Sequence, residues 1–338
     1  MTQALIVVGI VIAVLALLII LIGPVQGALL ARKYAKFRHN HQAEHDAIDA
    51  QFNHNDIQVD GTNWHFVDYG PRDGPVILLL HGLPEGWYSW KHVMPFIDAK
   101  CRLIVPDMKG YGRSTPGDSN YNWHTVARQT LGLMDTLKIQ KFYVVGHDWG
   151  ALIGSVMVDD HQDRILGFVR MEADFVPNRK TSSWKKYLLK PHWVIFRVTW
   201  MTKMIMRDVE QFIGLVYIRS QRTRMSREDL DYFIYEYSRP GVVQNVSLYF
   251  KHSNWDLGTA LGKFCKNKYD FPVMALQADH DYDQPAFLFD NAATECPCVE
   301  LRWIKDAGHF DNIEQPAQVA SAINEFVERS KTWKRQCA

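Results

Sequence analysis

Net charge and paired cysteine are both scarce in this chain, and each scarcity sets a limit. Its 338 residues carry 38 Lys+Arg against 37 Asp+Glu, a formal net charge of +1 at pH 7. Such balance leaves no global footprint for nucleic acid, which is not expected as a partner. The five cysteines, Cys101, Cys265, Cys296, Cys298 and Cys337, form an odd, scattered set. A disulfide framework calls for an even, regular set and a zinc site for its own spacing, so the thiols read as reduced. No internal repeat is visible.

Apolar residues, by contrast, are plentiful. The chain is 47% hydrophobic, with 11 Trp, 14 Tyr and 17 Phe, enough for a sizeable core with an inserted subdomain. From Ala4 to Ile22 every residue is apolar or Gly, long enough to span a bilayer as a helix, with Gly23 and Pro24 ending it. No Lys or Arg precedes this run, whereas Arg32, Lys33, Lys36 and Arg38 follow it, which places the C-terminal side in the cytosol. The rival is a cleaved signal peptide with Val25 and Gly27 before Ala28, but it lacks a basic leading region. The expectation is a single-pass protein of the endoplasmic reticulum, joined to the membrane by residues 1–24, with the rest cytosolic. Asn245-Val246-Ser247, a glycosylation sequon, would then report topology. Residues 25–54, with His39, His41, His45 and His54, read as a solvated linker rather than a metal site.

Beyond the linker, Ile57–Val59 and Trp64–Tyr69 flank Asp60-Gly61, a hairpin signal. Apolar runs at Val76–Leu80, Arg102–Pro106 and Phe142–Val145 suit strands covered on both faces, and helical stretches such as Trp123–Leu137 and Ala151–Asp159 alternate with them. The rhythm predicts an α/β fold with a mostly parallel, doubly wound sheet. It resumes at Pro272–Gln277 and Val299–Ile304, followed by a helix over Pro316–Glu328. Between them the aromatic and Met content recurs at helical spacing, so 55–174 and 269–331 are expected as core and 175–268 as a helical lid. Residues 176–270 carry 17 Lys+Arg against 8 Asp+Glu, a basic surface that is solvated or turned to anionic lipid.

Three motifs carry chemistry. Gly146-His147-Asp148-Trp149-Gly150 follows a strand and opens a helix, the setting of a nucleophile elbow with Asp as the projecting side chain. The free N–H groups of that helix favour negative charge beside the carboxylate. His81-Gly82-Leu83-Pro84-Glu85 directly follows the strand Val76–Leu80, where backbone N–H groups of Leu83 and Trp149 would form an oxyanion hole. Ala307-Gly308-His309 follows the last strand and offers a base.

His81 to Trp90, Asp107 to Ser114 and Gly146 to Gly150 together resemble the α/β-hydrolases of the epoxide hydrolase family, and the N-terminal run resembles the membrane-bound animal members. Haloalkane dehalogenases and marine luciferases share the aspartate elbow. The resemblance implies Asp148 as nucleophile, His309 as base and, from the turn after the strand Pro272–Gln277, Asp281 as its acid, with Asp279 and Asp283 as neighbours. Glu172, at the end of Ile165–Met171, is the alternative acid, where some dehalogenases carry theirs. It also implies two lid tyrosines as donors to the epoxide oxygen. Tyr249 matches the second, but Trp193 stands at the first, where Tyr187, Tyr217, Tyr232 or Tyr235 could substitute. A carboxylate attacking an sp3 carbon gives an alkyl ester, whereas attack on a carboxylic ester would give an unstable anhydride. The implied reaction is hydrolysis of a small apolar, lipid-derived epoxide, needing no metal or cofactor. Dehalogenation and a non-catalytic binding role on the same fold are the alternatives.

Overall fold

Continuous runs of Val, Ile and Leu bounded by turn residues become strands because both faces of the sheet they form are covered. In the computed structural model the described residues are 2–173, 191–252 and 269–334, with the side chains of residues 2–24 and of Pro191 outside that description. Strands β1 (His54–Val59), β2 (Thr62–Tyr69), β3 (Val76–Leu80), β4 (Arg102–Pro106), β5 (Phe142–His147), β6 (Ile165–Met171), β7 (Val273–Ala278) and β8 (Val299–Ile304) form one sheet in the order β1-β2-β4-β3-β5-β6-β7-β8. The β1–β2 and β2–β4 pairs are antiparallel and the other five are parallel. Asp60 and Gly61 both adopt positive φ, 48° and 79°, the requirement of the two-residue hairpin turn between β1 and β2.

The strand order reverses around β3, which lies between β4 and β5. Leu80 at the end of β3 pairs with Gly146 near the end of β5, so the loops leaving both strands open side by side. This is the crevice where open α/β sheets bind ligands. Helices α2 (Trp123–Thr136) and α3 (Trp149–Asp160) pack on each other and α3 also lies against β5 and β6. Between β6 and β7 stand α4 (Pro191–Ile195), α5 (Thr199–Ile205), α6 (Val209–Ser220), α7 (Arg227–Tyr237) and α8 (Val242–His252), and α9 (Pro316–Ser330) follows β8. Tyr187 and Cys265 lie outside the described residues.

Three expectations need correction. Residues 25–54 are not a loose linker: helix α1 (Thr2–Asp49) runs through Gly23 and Pro24, and His54 opens β1. Its polar surface conceals a stripe, Tyr34, Phe37, His45 and Ile48, at helical spacing. The Tyr34 hydroxyl donates to Asp208 Oδ1 at 2.7 Å and accepts the Glu210 N–H at 3.1 Å, and the His45 ring stacks on Tyr232 and Tyr235 at centroid distances of 4.0 and 3.6 Å. Among the described residues no helix is long and apolar enough to cross a membrane. The run 4–22 lies within α1, but its side chains are outside the description, so an anchor and a cytosolic placement built on it have no structural support.

Second, Asn245 lies on α8, buried, with its amide donating to Gly110 O at 2.8 Å, and a sequon held in the interior cannot report topology. Third, Cys296 and Cys298 are disulfide-bonded rather than reduced, which does not fit the reducing compartment expected; Cys101 is a buried free thiol.

Burial, reinforced by the charges of Arg239 and Arg113, pushes the His45 imidazole down to about 3, from an ordinary value near 6.5. The unfolded chain therefore takes up this proton more readily, and stability falls as pH drops from about 6.5 toward about 3. Hydrogen exchange of residues 34–48, corrected for intrinsic rates, is expected to accelerate across that window. His45→Phe, which keeps a flat ring between the tyrosines, should flatten the dependence; an unchanged profile would assign it elsewhere.

Candidate active site

The turn from β5 into α3 is so tight that two positions must lack a side chain. A Cβ on Gly146 would stand 2.4 Å from Gly150 O, and one on Gly150 would stand 2.3 Å from Leu80 O. Between them Asp148 is forced to φ 49°, ψ −112°, a conformation costly for a residue with a Cβ and one that clusters at functional sites. Its carboxyl thereby projects from the sheet. The Leu83 N–H donates to Asp148 Oδ1 at 3.1 Å, and His309 Nε2 lies 3.7 Å from Oδ2. Burial opposes ionisation of Asp148, but the bond and charge of His309, the charge of His147 and the Trp149 N–H prevail and hold it below the usual carboxylate range.

Of the three aspartates after β7, Asp281 is the one that reaches the base. His309 Nδ1 donates to Asp281 Oδ2 at 2.9 Å, and the Asp283 N–H donates to Asp281 Oδ1 at 2.7 Å. Asp279 instead faces Lys305 and His280. Burial would push the His309 ring down, yet Asp281 and Asp148 on either side carry it well above its ordinary value. Glu172 does not compete for His309 from another side. It lies buried within 4.8 Å of both Asp281 and His309, with one oxygen accepting the Ala278 N–H at 2.6 Å.

Asp148 and His309 open onto a cavity of about 320 Å³, walled by Leu83, Trp149, Trp193, Phe196, Phe212 and Phe250 among others. Trp193 stacks on Trp149 with centroids 5.2 Å apart and planes inclined by 30°. The whole arrangement, an aspartate elbow with a backbone N–H on one carboxylate oxygen and a His–Asp pair beside the other, sits on the sheet described above.

A family model for the alpha/beta hydrolase fold matches residues 75–316. The chain belongs to the α/β-hydrolase fold family. Epoxide hydrolase 2 of Siraitia grosvenorii is 27% identical over 312 residues, covering 82% of this chain and 98% of its own. An AB hydrolase superfamily protein, YfhM, of Bacillus subtilis is 25% identical, covering 84% and 99%. Among solved structures, an epoxide hydrolase of Vigna radiata superposes with a TM-score of 0.70 at 24% identity, over 82% of this chain and 98% of its own. Cfl2 of Burkholderia cenocepacia gives 0.72 at 24%, over 82% and 96%. These two likenesses show the fold.

In this hydrolase the expected tyrosines that lie among the described residues bond elsewhere. Tyr249 is fully buried, its hydroxyl donating to Lys109 O at 3.1 Å, and it does not line the cavity. Tyr217 donates to Pro84 O at 2.9 Å, Tyr232 to Asp49 Oδ1 at 3.0 Å and Tyr235 to Gln42 at 2.5 Å. Trp193 does line the cavity.

Sequence reasoning missed the pair beneath the site. His147 Nδ1 donates to Glu85 Oε2 at 2.7 Å while Nε2 donates to His309 O at 2.7 Å; since an ionised carboxylate and a carbonyl both only accept, the ring carries two protons. Glu85 also accepts from the Gly82 N–H at 2.5 Å and from Asn312 at 3.0 Å. Burial would raise Glu85, but His147 outweighs it and holds the carboxyl low. The signal was present as Glu85 and His147 inside two motifs, but their meeting is tertiary. Glu172, Asp281 and His309 each offer an atom within 4.8 Å of the others, close enough to hold a cation, at the cost of opening the His309–Asp281 bond.

A Cβ on Gly82 would stand 2.6 Å from Asp148 Cβ and 2.8 Å from Glu85 Oε2. Gly82→Ala should displace the Leu83 N–H and lower turnover by about 10²–10³-fold, the usual cost of one oxyanion donor. Steady-state kinetics beside a melting curve checks this; full activity would show that the donor is dispensable.

Proposed function

We propose that this hydrolase opens epoxides to vicinal diols through a covalent ester on Asp148. The observation that carries the reading is the division of one carboxylate: Oδ1 faces the Leu83 N–H and Oδ2 faces His309. An ionised Asp148 oxygen attacks an epoxide carbon, the ring C–O bond breaks, and the freed oxygen takes up a proton from solvent, which the later hydrolysis of the ester to the Asp148 carboxylate returns. Esterification removes the Asp148 charge that helps hold a proton on His309, so this ring, oriented by Asp281, then removes a proton from water, whose oxygen attacks Cγ of the ester. The Leu83 and Trp149 N–H groups receive the resulting oxyanion, and its collapse expels the diol and restores Asp148. The apolar walls suit a small apolar epoxide, and likeness to proteins named epoxide hydrolases supports the same class.

The donor to the ring oxygen differs from the pair of tyrosines that the resemblance implies. With Tyr249 bonded to Lys109 O, the cavity wall offers Trp149 and Trp193. An indole N–H donates but does not give up its proton as a phenol can. That stacked indole pair favours a second reading, carbon–halogen cleavage, in which two N–H donors would hold a departing halide.

His309→Gln protein mixed with substrate should accumulate an adduct, and mass spectrometry should place it on the peptide containing Asp148. An adduct mapping elsewhere would remove the nucleophile assignment. A panel of epoxides and haloalkanes, read for diol and for free halide, separates the two reactions. In single-turnover kinetics Trp193→Phe should slow alkylation by about 10²–10³-fold, with ester hydrolysis little changed. Tyr249→Phe should leave alkylation within about threefold, since it loses only an interior bond. The opposite ranking would return the donor role to Tyr249.

A further inference from the structure

Both candidate acids are present, and they touch the same place. Glu172 ends β6 with φ 45° and no exposed surface. One of its oxygens accepts the Ala278 N–H, while Oε2 is buried and, among the described residues, faces no donor. Its carboxyl lies with an Asp281 oxygen and a His309 ring nitrogen inside a circle of 4.8 Å. Asp311, fully buried after His309, likewise has two oxygens that no donor among the described residues reaches.

We propose that Glu172 is a neutral carboxylic acid that donates its proton to the Asp281 carboxylate and thereby fixes the direction in which Asp281 presents its charge to His309. Three buried carboxyls, Glu172, Asp281 and Asp311, share this pocket with two rings, His309 from the loop after β8 and His147 from β5, and Glu314 stands beyond Asp311. Carboxylates packed this closely do not all ionise, and the proton goes to the member with the poorest support. Asp281 is the best supported, by His309 and the Asp283 N–H. Glu172 has one N–H and, among the described residues, no cation that lowers it, whereas Asp311, which no N–H bonds, is drawn down by the charges of His147 and His309. An orphaned oxygen against a carboxylate becomes a satisfied donor once it carries hydrogen. Consistently, burial and then the charges of Asp311 and Asp281 drive Glu172 well above the usual range, and burial brings Asp311 up to about 7.

Glu172 is thus a positioning residue rather than a catalytic one. The assignment rests on His309 and Asp281 acting as described above. At alkaline pH Glu172 loses its proton, a second charge appears beside Asp281, and ester hydrolysis should decline.

Glu172→Gln keeps a donor of the same shape and removes the titration. Its ester hydrolysis should stay within about threefold of wild type at neutral pH, and the alkaline decline should vanish. Glu172→Leu removes the donor and should slow hydrolysis about tenfold or more, with alkylation unaltered. Glu172→Gln protein as inactive as Asp281→Asn would make Glu172 an ionised acid and overturn the proposal, as would a Glu172→Leu protein with normal hydrolysis and a normal pH profile. Infrared spectra of wild type and Glu172→Gln, taken without substrate at a pH above about 8, where Asp311 has largely ionised, should differ by one protonated-carboxyl carbonyl band present in wild type and lost in the variant. Its absence overturns the proposal, in favour of an ionised or cation-bound Glu172, whatever the substrate proves to be.

Discussion

Glu85 and His147 form a buried ion pair on which three separate loops converge. Glu85 binds the Gly82 N–H of the oxyanion loop and the Asn312 amide, and His147 holds the carbonyl of His309. Burying charge is expensive, and removing one partner of such a pair typically costs about 3–5 kcal/mol because the other is left stranded. Of the groups proposed to touch substrate, Leu83, Asp148, Trp149 and His309 lie within two residues of this pair or of a group bonded to it, and Trp193 comes from the helical layer instead. The site is therefore rigid where chemistry needs fixed distances, and the rigidity is electrostatic rather than a matter of apolar packing alone.

Beside that pair runs a neighbouring polar arrangement. His81 donates through Nδ1 to Gly82 O at 2.9 Å and accepts the Met108 N–H through Nε2 at 2.8 Å, so its ring is neutral, and burial holds it so. Two histidines of one site, His81 and His147, thus carry different charge because their partners differ. The first faces a donor and an acceptor, and the second faces two acceptors. Neither assignment needs solvent.

Much of the fold was legible because it is written in short-range terms. The strands β3, β4, β6 and β8 fall at the expected runs, where continuous apolar sequence meets turn residues. Asp60-Gly61 demands positive φ, and Gly146 and Gly150 demand close backbone approach, so turn and elbow could be read from residue type. Other features could not be read in this way. The stripe of α1 is diluted by Gln, Glu, Asn and His, and its partners Tyr232 and Tyr235 lie far along the chain. Asn245 carries a sequon, but only the fold turns its amide inward to Gly110. Asp279, Asp281 and Asp283 alternate in one turn, and only the position of His309 distinguishes them. Motif matching likewise placed Tyr249 by its neighbours in sequence, while its hydroxyl answers to Lys109.

One contact couples the helices over the site to His309, the proposed base, beneath them. The His309 N–H donates to Ser220 O at 2.6 Å, at the C-terminal end of α6, and a Cβ on Gly308 would meet that same carbonyl at 2.4 Å. The helical layer is consequently not a detachable cap. A chimera that borrowed these helices from another member of the fold would inherit new walls for the cavity, but it would also have to recreate one main-chain acceptor at the right spot. Without that acceptor, the exchange would leave the base's own backbone unanchored. Lineages built on this plan should find their binding preferences easier to alter through side chains such as Trp193 and Phe212 than through wholesale replacement of the layer.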